Sequence, residues 1–185
     1  MLFGIVGLNG SGKDTVAEYL VKKYGFEHRD LGQEIRNMLK SQGRDFTNRL
    51  DMINLGNEMR QKYGFNYWCK KAIESTQKDL VVITSVRNPA ESNEINLRKG
   101  VIIEVFAEPQ IRYERVIERK NKNPESHGAT QSFEEFKLIE EKELSDPDPS
   151  KQQMLQCIKM SNYKLDNNGS KEHLYAQIDE LFKLL

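Results

Sequence analysis

Leu2-Phe3-Gly4-Ile5-Val6-Gly7-Leu8-Asn9-Gly10-Ser11-Gly12-Lys13-Asp14-Thr15 decides the fold of this chain. The apolar run Leu2 to Val6 enters a glycine-rich turn, and an amphipathic run, Val16 to Tyr24, leaves it. Strand, tight loop and helix in that order are the setting in which G-x-x-x-x-G-K binds phosphate. Glycines let the backbone curl until several N–H groups face one anion. The helix that starts there adds the positive end of its dipole. Lys13 then reaches the outer phosphates of a nucleoside triphosphate as a mobile point charge. Asn9, Gly10, Ser11, Gly12, Lys13, Asp14 and Thr15 are thus the candidate nucleotide-binding residues.

Strand and helix patterns alternate along the rest of the chain. Strands are expected at Leu2–Val6, 26–30, 80–84, Val101–Phe106 and Tyr163–Asp166. The third and fourth are nearly continuous aliphatic runs, as strands covered on both faces should be. Helices are expected at about 13–24, 32–41, 48–63, 66–77, 90–98, 109–120, 133–144 and 170–184. Pro89 and Pro109 sit near helix starts, where a missing N–H does no harm. The pattern predicts an α/β fold: a five-stranded parallel sheet between two helical layers. Two polar, turn-rich stretches, 121–132 and 145–151, bracket a charged helix at 133–144. They suggest a lid insertion, 120–151, over the nucleotide.

Bulk properties narrow the function. At 185 residues the chain suits one compact domain, 1–185. Such a domain buries roughly 70% of its unfolded surface. The 28 basic and 28 acidic residues cancel, which argues against a large nucleic-acid footprint. Cys69 and Cys157 fit neither a metal spacing nor a disulfide framework. No run has the ~18 apolar residues of a membrane span, and the short N-terminal run lacks the basic flank of a signal peptide. A soluble, cytoplasmic protein with a small-molecule partner is expected.

Every arginine lies at or before Arg119, whereas lysines continue to Lys183. Arginine does what lysine does badly, the planar two-pronged binding of phosphate. Ligands of open α/β sheets sit beyond the carboxyl ends of the strands, and several arginines fall there. Arg36 follows the second strand and Arg87 directly follows the third; Arg115 and Arg119 share one helix face, with Arg112 at its edge. Arg60 lies late in the helix 48–63. Arg36, Arg60 and Arg87, with Glu34, are candidates for substrate binding, and Arg29, Arg44, Arg49 and Arg98 are expected at the surface. Tyr63, Phe65, Tyr67 and Trp68 could stack on an acceptor base or close the helical subdomain.

With these residues the chain resembles the nucleoside monophosphate kinase branch of the P-loop proteins over nearly its whole length. Gly12-Lys13-Asp14-Thr15 is similar to the adenylate kinase loop, and Leu31-Gly32-Gln33-Glu34-Ile35-Arg36 to the segment that follows strand two there. Arg87 matches the arginine after strand three, and Arg115 and Arg119 match the pair entering the lid. Asn167-Asn168-Gly169-Ser170 looks like the loop that frames adenine. Arg60-Gln61-Lys62-Tyr63-Gly64 and Ser85-Val86-Arg87-Asn88-Pro89-Ala90-Glu91 are closer to dephospho-CoA-kinase-like and archaeal adenylate-kinase-related proteins. The resemblance implies ATP and Mg2+ as cofactors and acceptor-binding helices at 32–78. It implies that Arg36 and Arg87 bind the acceptor phosphate, that Lys13 and Arg119 hold the transferring phosphate as catalytic residues with Arg87, and that Arg115, Asn168 and Gly169 lie near the adenine.

Three positions depart from that pattern. Asp14 stands where a hydroxyl usually meets magnesium, with Thr15 next; Thr84 replaces the acidic end of the third strand; Gln33 replaces the acidic residue of the acceptor motif, with Glu34 beside it. Asp14 could supply the carboxylate that Thr84 lacks, making Asp14 and Thr15 the candidate metal residues. The expected activity is transfer of a phosphoryl group from ATP to a nucleoside or deoxynucleoside monophosphate. The alternatives are a dephospho-CoA-kinase-like transfer to a hydroxyl with Glu34 as base, a non-catalytic nucleotide-binding regulatory module, and an ATPase.

Overall fold

Among the described residues, five parallel strands form one sheet in the order β2-β3-β1-β4-β5. They are β1 (Leu2–Val6), β2 (Glu27–Asp30), β3 (Val81–Thr84), β4 (Val101–Phe106) and β5 (Tyr163–Asp166). The computed structural model describes residues 1–122 and 132–185, the side chains of Arg49 and Lys142 excepted. Most of the polar stretch 121–132, His127 included, lies outside the described residues, as does the side chain of Arg49.

Side chains alternate across a strand, and here both faces are buried. Phe3, Ile5, Val82, Ile103 and Val105 pack under α1 (Lys13–Tyr24) and α9 (Lys171–Leu184), with Val16, Ala17, Leu20, Leu174 and Ile178. Val6, Val81, Ile83 and Ile102 face the opposite way. They meet the layer built from α2 (Leu31–Ser41), α3 (Arg49–Tyr63), α4 (Tyr67–Glu74) and α5 (Pro89–Leu97). The remaining helices are α6 (Pro109–Lys122), α7 (Phe133–Leu144) and α8 (Met154–Lys159). This is the expected three-layer P-loop NTPase fold with an all-parallel sheet.

Two elements differ from the sequence expectation by more than two residues. Helix α4 ends at Glu74 rather than Gln77, because the Ser75 and Thr76 hydroxyls donate back to the Ala72 and Ile73 carbonyls. Helix α8, only six residues long, has no counterpart among the expected helices; it buries Met154 and Cys157. Both cysteines are free and wholly buried, and burial pushes the Cys157 thiol up to about 12, so neither is a reactive thiol. Among the described residues no helix is long and apolar enough to cross a membrane.

Parallel pairing aligns the carboxyl ends of the strands along one edge. Asp30 is opposite Thr84, and Phe106 opposite Asp166. The loop after the central strand β1 opens onto this edge, with the β2 and β3 ends on one side and the β4 and β5 ends on the other.

Candidate functional site

The loop from Gly7 to Gly12 is closed by contacts that only glycine permits. At Gly10, φ is 78° and an added Cβ would meet the Arg112 carbonyl oxygen at 2.4 Å. At Gly12, φ is 99° and a Cβ would lie 2.2 Å from Asn167 Nδ2. Asn167 is buried, and its Nδ2 donates to the Ser11 carbonyl at 2.7 Å. The loop is therefore clamped from α6 and from the end of β5. Gly12 caps α1 without any side chain, so the first-turn amides have no side-chain cap. Ser11 Oγ is buried without a hydrogen-bond partner among the described residues. A cradle of amides at a helix N-terminus fits an anionic phosphate chain.

Lys13 is half-buried, and its Nζ donates to the Leu8 carbonyl at 3.0 Å. Its pKa is lowered to about 8, first by withdrawal from water and then by the positive charge of Arg87. Arg119 pushes the same way, while Asp14 and Glu143 push back. Three cations from α1, the β3–α5 turn and α6 thus share one field. Like charges held together repel, and an anion placed among them relieves that repulsion.

The arginines separate into distinct roles. The Nη2 of Arg119, an exposed residue, donates to Asn9 Oδ1 at 3.2 Å, which brings it to the loop. Arg115 Nη2 donates to the Asn167 carbonyl at 2.8 Å, while its buried Nη1 has no hydrogen-bond partner among the described residues. Burial lowers the Arg115 pKa. Arg36 Nη1 lies 3.6 Å from Asp30 Oδ2 and 3.3 Å from Gln33 Oε1. Arg87 Nη1 donates to Gln152 Oε1 at 2.7 Å and lies 3.5 Å from Glu143 Oε2 on α7.

Two arginines stand elsewhere than their sequence positions suggest. Arg60 is 5% exposed, and its Nε and Nη2 donate to Glu91 Oε1 at 3.1 and 2.8 Å. Its guanidinium is spent on this buried pair instead of facing an open site. Arg112, read as the edge of a helix face, is buried; it forks onto Glu140 of α7 and donates to the Ala107 and Asn9 carbonyls. It joins α7, α6 and the phosphate loop. Half-buried Arg29 pairs with Glu27, and exposed Arg98 pairs with buried Glu94. Exposed Arg44 pairs with half-buried Asp51.

The acidic candidates are placed as follows. Asp14 is exposed on the first turn of α1, with half-buried Thr15 beside it. Glu34 Oε2 of α2 lies 3.4 Å from Lys71 Nζ of α4. Thr84 is fully buried, and its Oγ1 shares a hydrogen bond with His28 Nε2 at 2.8 Å. Asp30, read only as a strand end, stands at the carboxyl edge, where it caps α2 through the Gly32 amide and faces Arg36. The hint was local: an acidic residue directly before a helix. Asn168 Oδ1 accepts from the Glu108 amide at 2.7 Å, joining the β4 and β5 loops, with Gly169 next to it. Among the aromatics, Trp68 is core and donates to the Gly56 carbonyl; Tyr67 packs on it, and Tyr63 stacks on Tyr67.

Comparison with known proteins agrees with this architecture. The family model described as "AAA domain" matches residues 4–138. A search of curated proteins found no match. Among solved structures, the shikimate kinase of Acinetobacter baumannii in complex with shikimate superposes with a TM-score of 0.59 at 19% identity, covering 98% of this chain and 92% of that one. The shikimate kinase of Aquifex aeolicus gives 0.58 at 16% identity, covering 99% and 96%. A Thermus thermophilus protein gives 0.61 at 21% identity, covering 100% and 97%. At these identities the likeness is one of fold. The chain belongs to the AAA domain family.

Proposed function

We propose that this member of the AAA domain family moves the γ-phosphoryl group of ATP onto a small phosphorylated acceptor, a nucleoside or deoxynucleoside monophosphate. The observation that carries this reading is that Lys13 and Arg119 both rest on the glycine loop, at Leu8 and Asn9, with Arg87 near enough to lower the lysine's pKa. Two of these cations belong to the loop side of β1, and Arg87 to the side of the acceptor helices. That is where a donor phosphate and an acceptor phosphate would meet in line.

Lys13 and Arg119 neutralise charge that builds on the phosphoryl group as it moves. Arg87 and Arg36 orient the acceptor, and residues 32–78 supply its binding helices. Asp14 and Thr15 would hold magnesium together with phosphate oxygens, and the ion would offset triphosphate charge. Arg115, Asn168 and Gly169 serve the base of the nucleotide. Helix α7 belongs to the lid region, 120–151, which limits the access of water, the competing acceptor.

A second reading has one observation in its favour. Asp30 places a carboxylate at the end of β2, on the carboxyl edge beside Arg36. It is better placed than Glu34, held by Lys71, to take a proton from an acceptor hydroxyl. That arrangement suits a hydroxyl acceptor, as in dephospho-CoA.

The test is magnesium- and ATP-dependent transfer against all ribo- and deoxynucleoside monophosphates, dephospho-CoA and shikimate, with Lys13→Ala as control. A nucleoside diphosphate formed from one monophosphate, and lost in the control, supports the first reading. Transfer only to a hydroxyl acceptor supports the second. ATP binding with no transfer to any acceptor overturns both in favour of a regulatory module.

A further inference from the structure

Glu91 is completely buried, and both of its oxygens are engaged. Oε1 takes the two Arg60 donors, at 3.1 and 2.8 Å. Oε2 takes the backbone N–H groups of Arg87 at 2.9 Å and Asn88 at 3.1 Å. One carboxylate therefore ties helix α3 to the backbone of the turn that carries the Arg87 side chain.

That turn needs holding. Ser85 has a φ of 61°, a left-handed conformation uncommon for a residue with a Cβ, and such conformations persist only where the surroundings enforce them. Asn88 caps α5 through the Ala90 amide and reaches the Pro149 and Lys151 carbonyls with Nδ2, at 2.7 and 3.1 Å. Gln153 N donates to the Arg87 carbonyl at 2.9 Å. Gln61, next to Arg60, donates to Ser150 Oγ at 3.2 Å. The turn is stitched from α3 on one side and from residues 149–153 on the other.

A buried carboxylate gripped by two donors of one planar guanidinium loses that grip when the arginine is replaced, even by lysine, and it rearranges. That rearrangement alters its acceptance of the Arg87 and Asn88 amides. We infer that Arg60 is a positioning residue. Acting through Glu91, it sets the backbone of Arg87 and hence where the Arg87 guanidinium meets the acceptor, without touching substrate itself. This rests on the phosphotransfer reading for its kinetic consequence but not for its structural one.

The experiment combines Arg60→Lys, Arg60→Met and Glu91→Gln with Arg87→Ala. Amide spectra of 15N-labelled protein give the structural readout. Arg60→Lys is expected to move the Arg87 and Asn88 resonances and leave those of Gly10 and Gly12 in place. Kinetics give the functional one: KM for the acceptor rises about tenfold while KM for ATP stays within twofold. In the Arg87→Ala background Arg60→Lys adds nothing further, since residues acting through one another are non-additive. Unmoved Arg87 and Asn88 amides, or fully additive effects on acceptor KM, would overturn the inference. A wild type that transfers phosphate to no acceptor would remove the phosphotransfer reading, and the amide shifts would still decide the positioning. Where Arg60→Met or Glu91→Gln fails to fold, the Arg60→Lys spectra and the Arg60→Lys/Arg87→Ala cycle decide between the two outcomes.

Discussion

Lys13 Nζ is folded back onto the carbonyl of Leu8, five residues earlier in the same loop, at 3.0 Å. The lysine that would meet a triphosphate is thus parked on its own backbone, half-buried and among like charges. Leaving that carbonyl for a phosphate exchanges a neutral acceptor for a charged one, a stronger hydrogen bond.

This geometry makes nucleotide binding depend on pH. The free protein holds the Lys13 proton with a pKa of about 8, and a bound triphosphate raises it. Below pH 8 the lysine is already charged and affinity is flat. Above pH 8 binding must take up a proton, so affinity falls by up to about tenfold per pH unit. Calorimetry in buffers of different ionisation enthalpy at pH 8.5 should register that uptake, and Lys13→Ala should abolish it. For the unliganded chain the sign is opposite. The depressed pKa means the unfolded state binds the proton more tightly, so Lys13's contribution to stability rises with pH from about 8 to 10.5.

Glu143 competes for the cations that an incoming phosphate would use. It lies 3.5 Å from Arg87 and supports the charge on Lys13. Glu143→Gln should tighten binding of Mg·ATP or of the acceptor by about fivefold, the scale of one partly exposed ion pair near 1 kcal/mol. It should also shift the pH midpoint of binding downward. Weaker binding in this variant, measured by calorimetry, would show that Glu143 helps to hold the ligand.

Asp14 is an exposed carboxylate on the first turn of α1, directly after Lys13. Asp14→Asn should raise the magnesium concentration for half-maximal turnover by about tenfold, as loss of one charged ligand from a site that uses one or two carboxylates would. Binding of ATP in EDTA should be unaffected. Unchanged magnesium dependence would return the role to Thr15 and water.

The fold was legible because its signals are local. A strand, glycine turn and helix stand together within the first 24 residues, and the aliphatic runs of β3 and β4 announce a sheet covered on both faces. Asn88-Pro89-Ala90-Glu91 even carries the spacing of a capping box, which is present in α5. The arginines were harder, because an arginine's role depends on which carboxylate the fold brings to it. Arg60 meets Glu91 across 31 residues and Arg112 meets Glu140 across 28, and no sequence period marks either meeting. Asp30 was hidden for the opposite reason: its strand position masked a side chain that turns onto the next helix. The short α8 left too little periodicity to read.

Asn167 fills the space beside Gly12 and holds the Ser11 carbonyl from 156 positions further along the chain. During synthesis the glycine turn therefore leaves the ribosome long before its back wall exists. The nascent N-terminal half has the full motif but lacks the group that braces it. The brace on the turn is therefore among the last parts of the fold to be made, although the turn it holds is among the first.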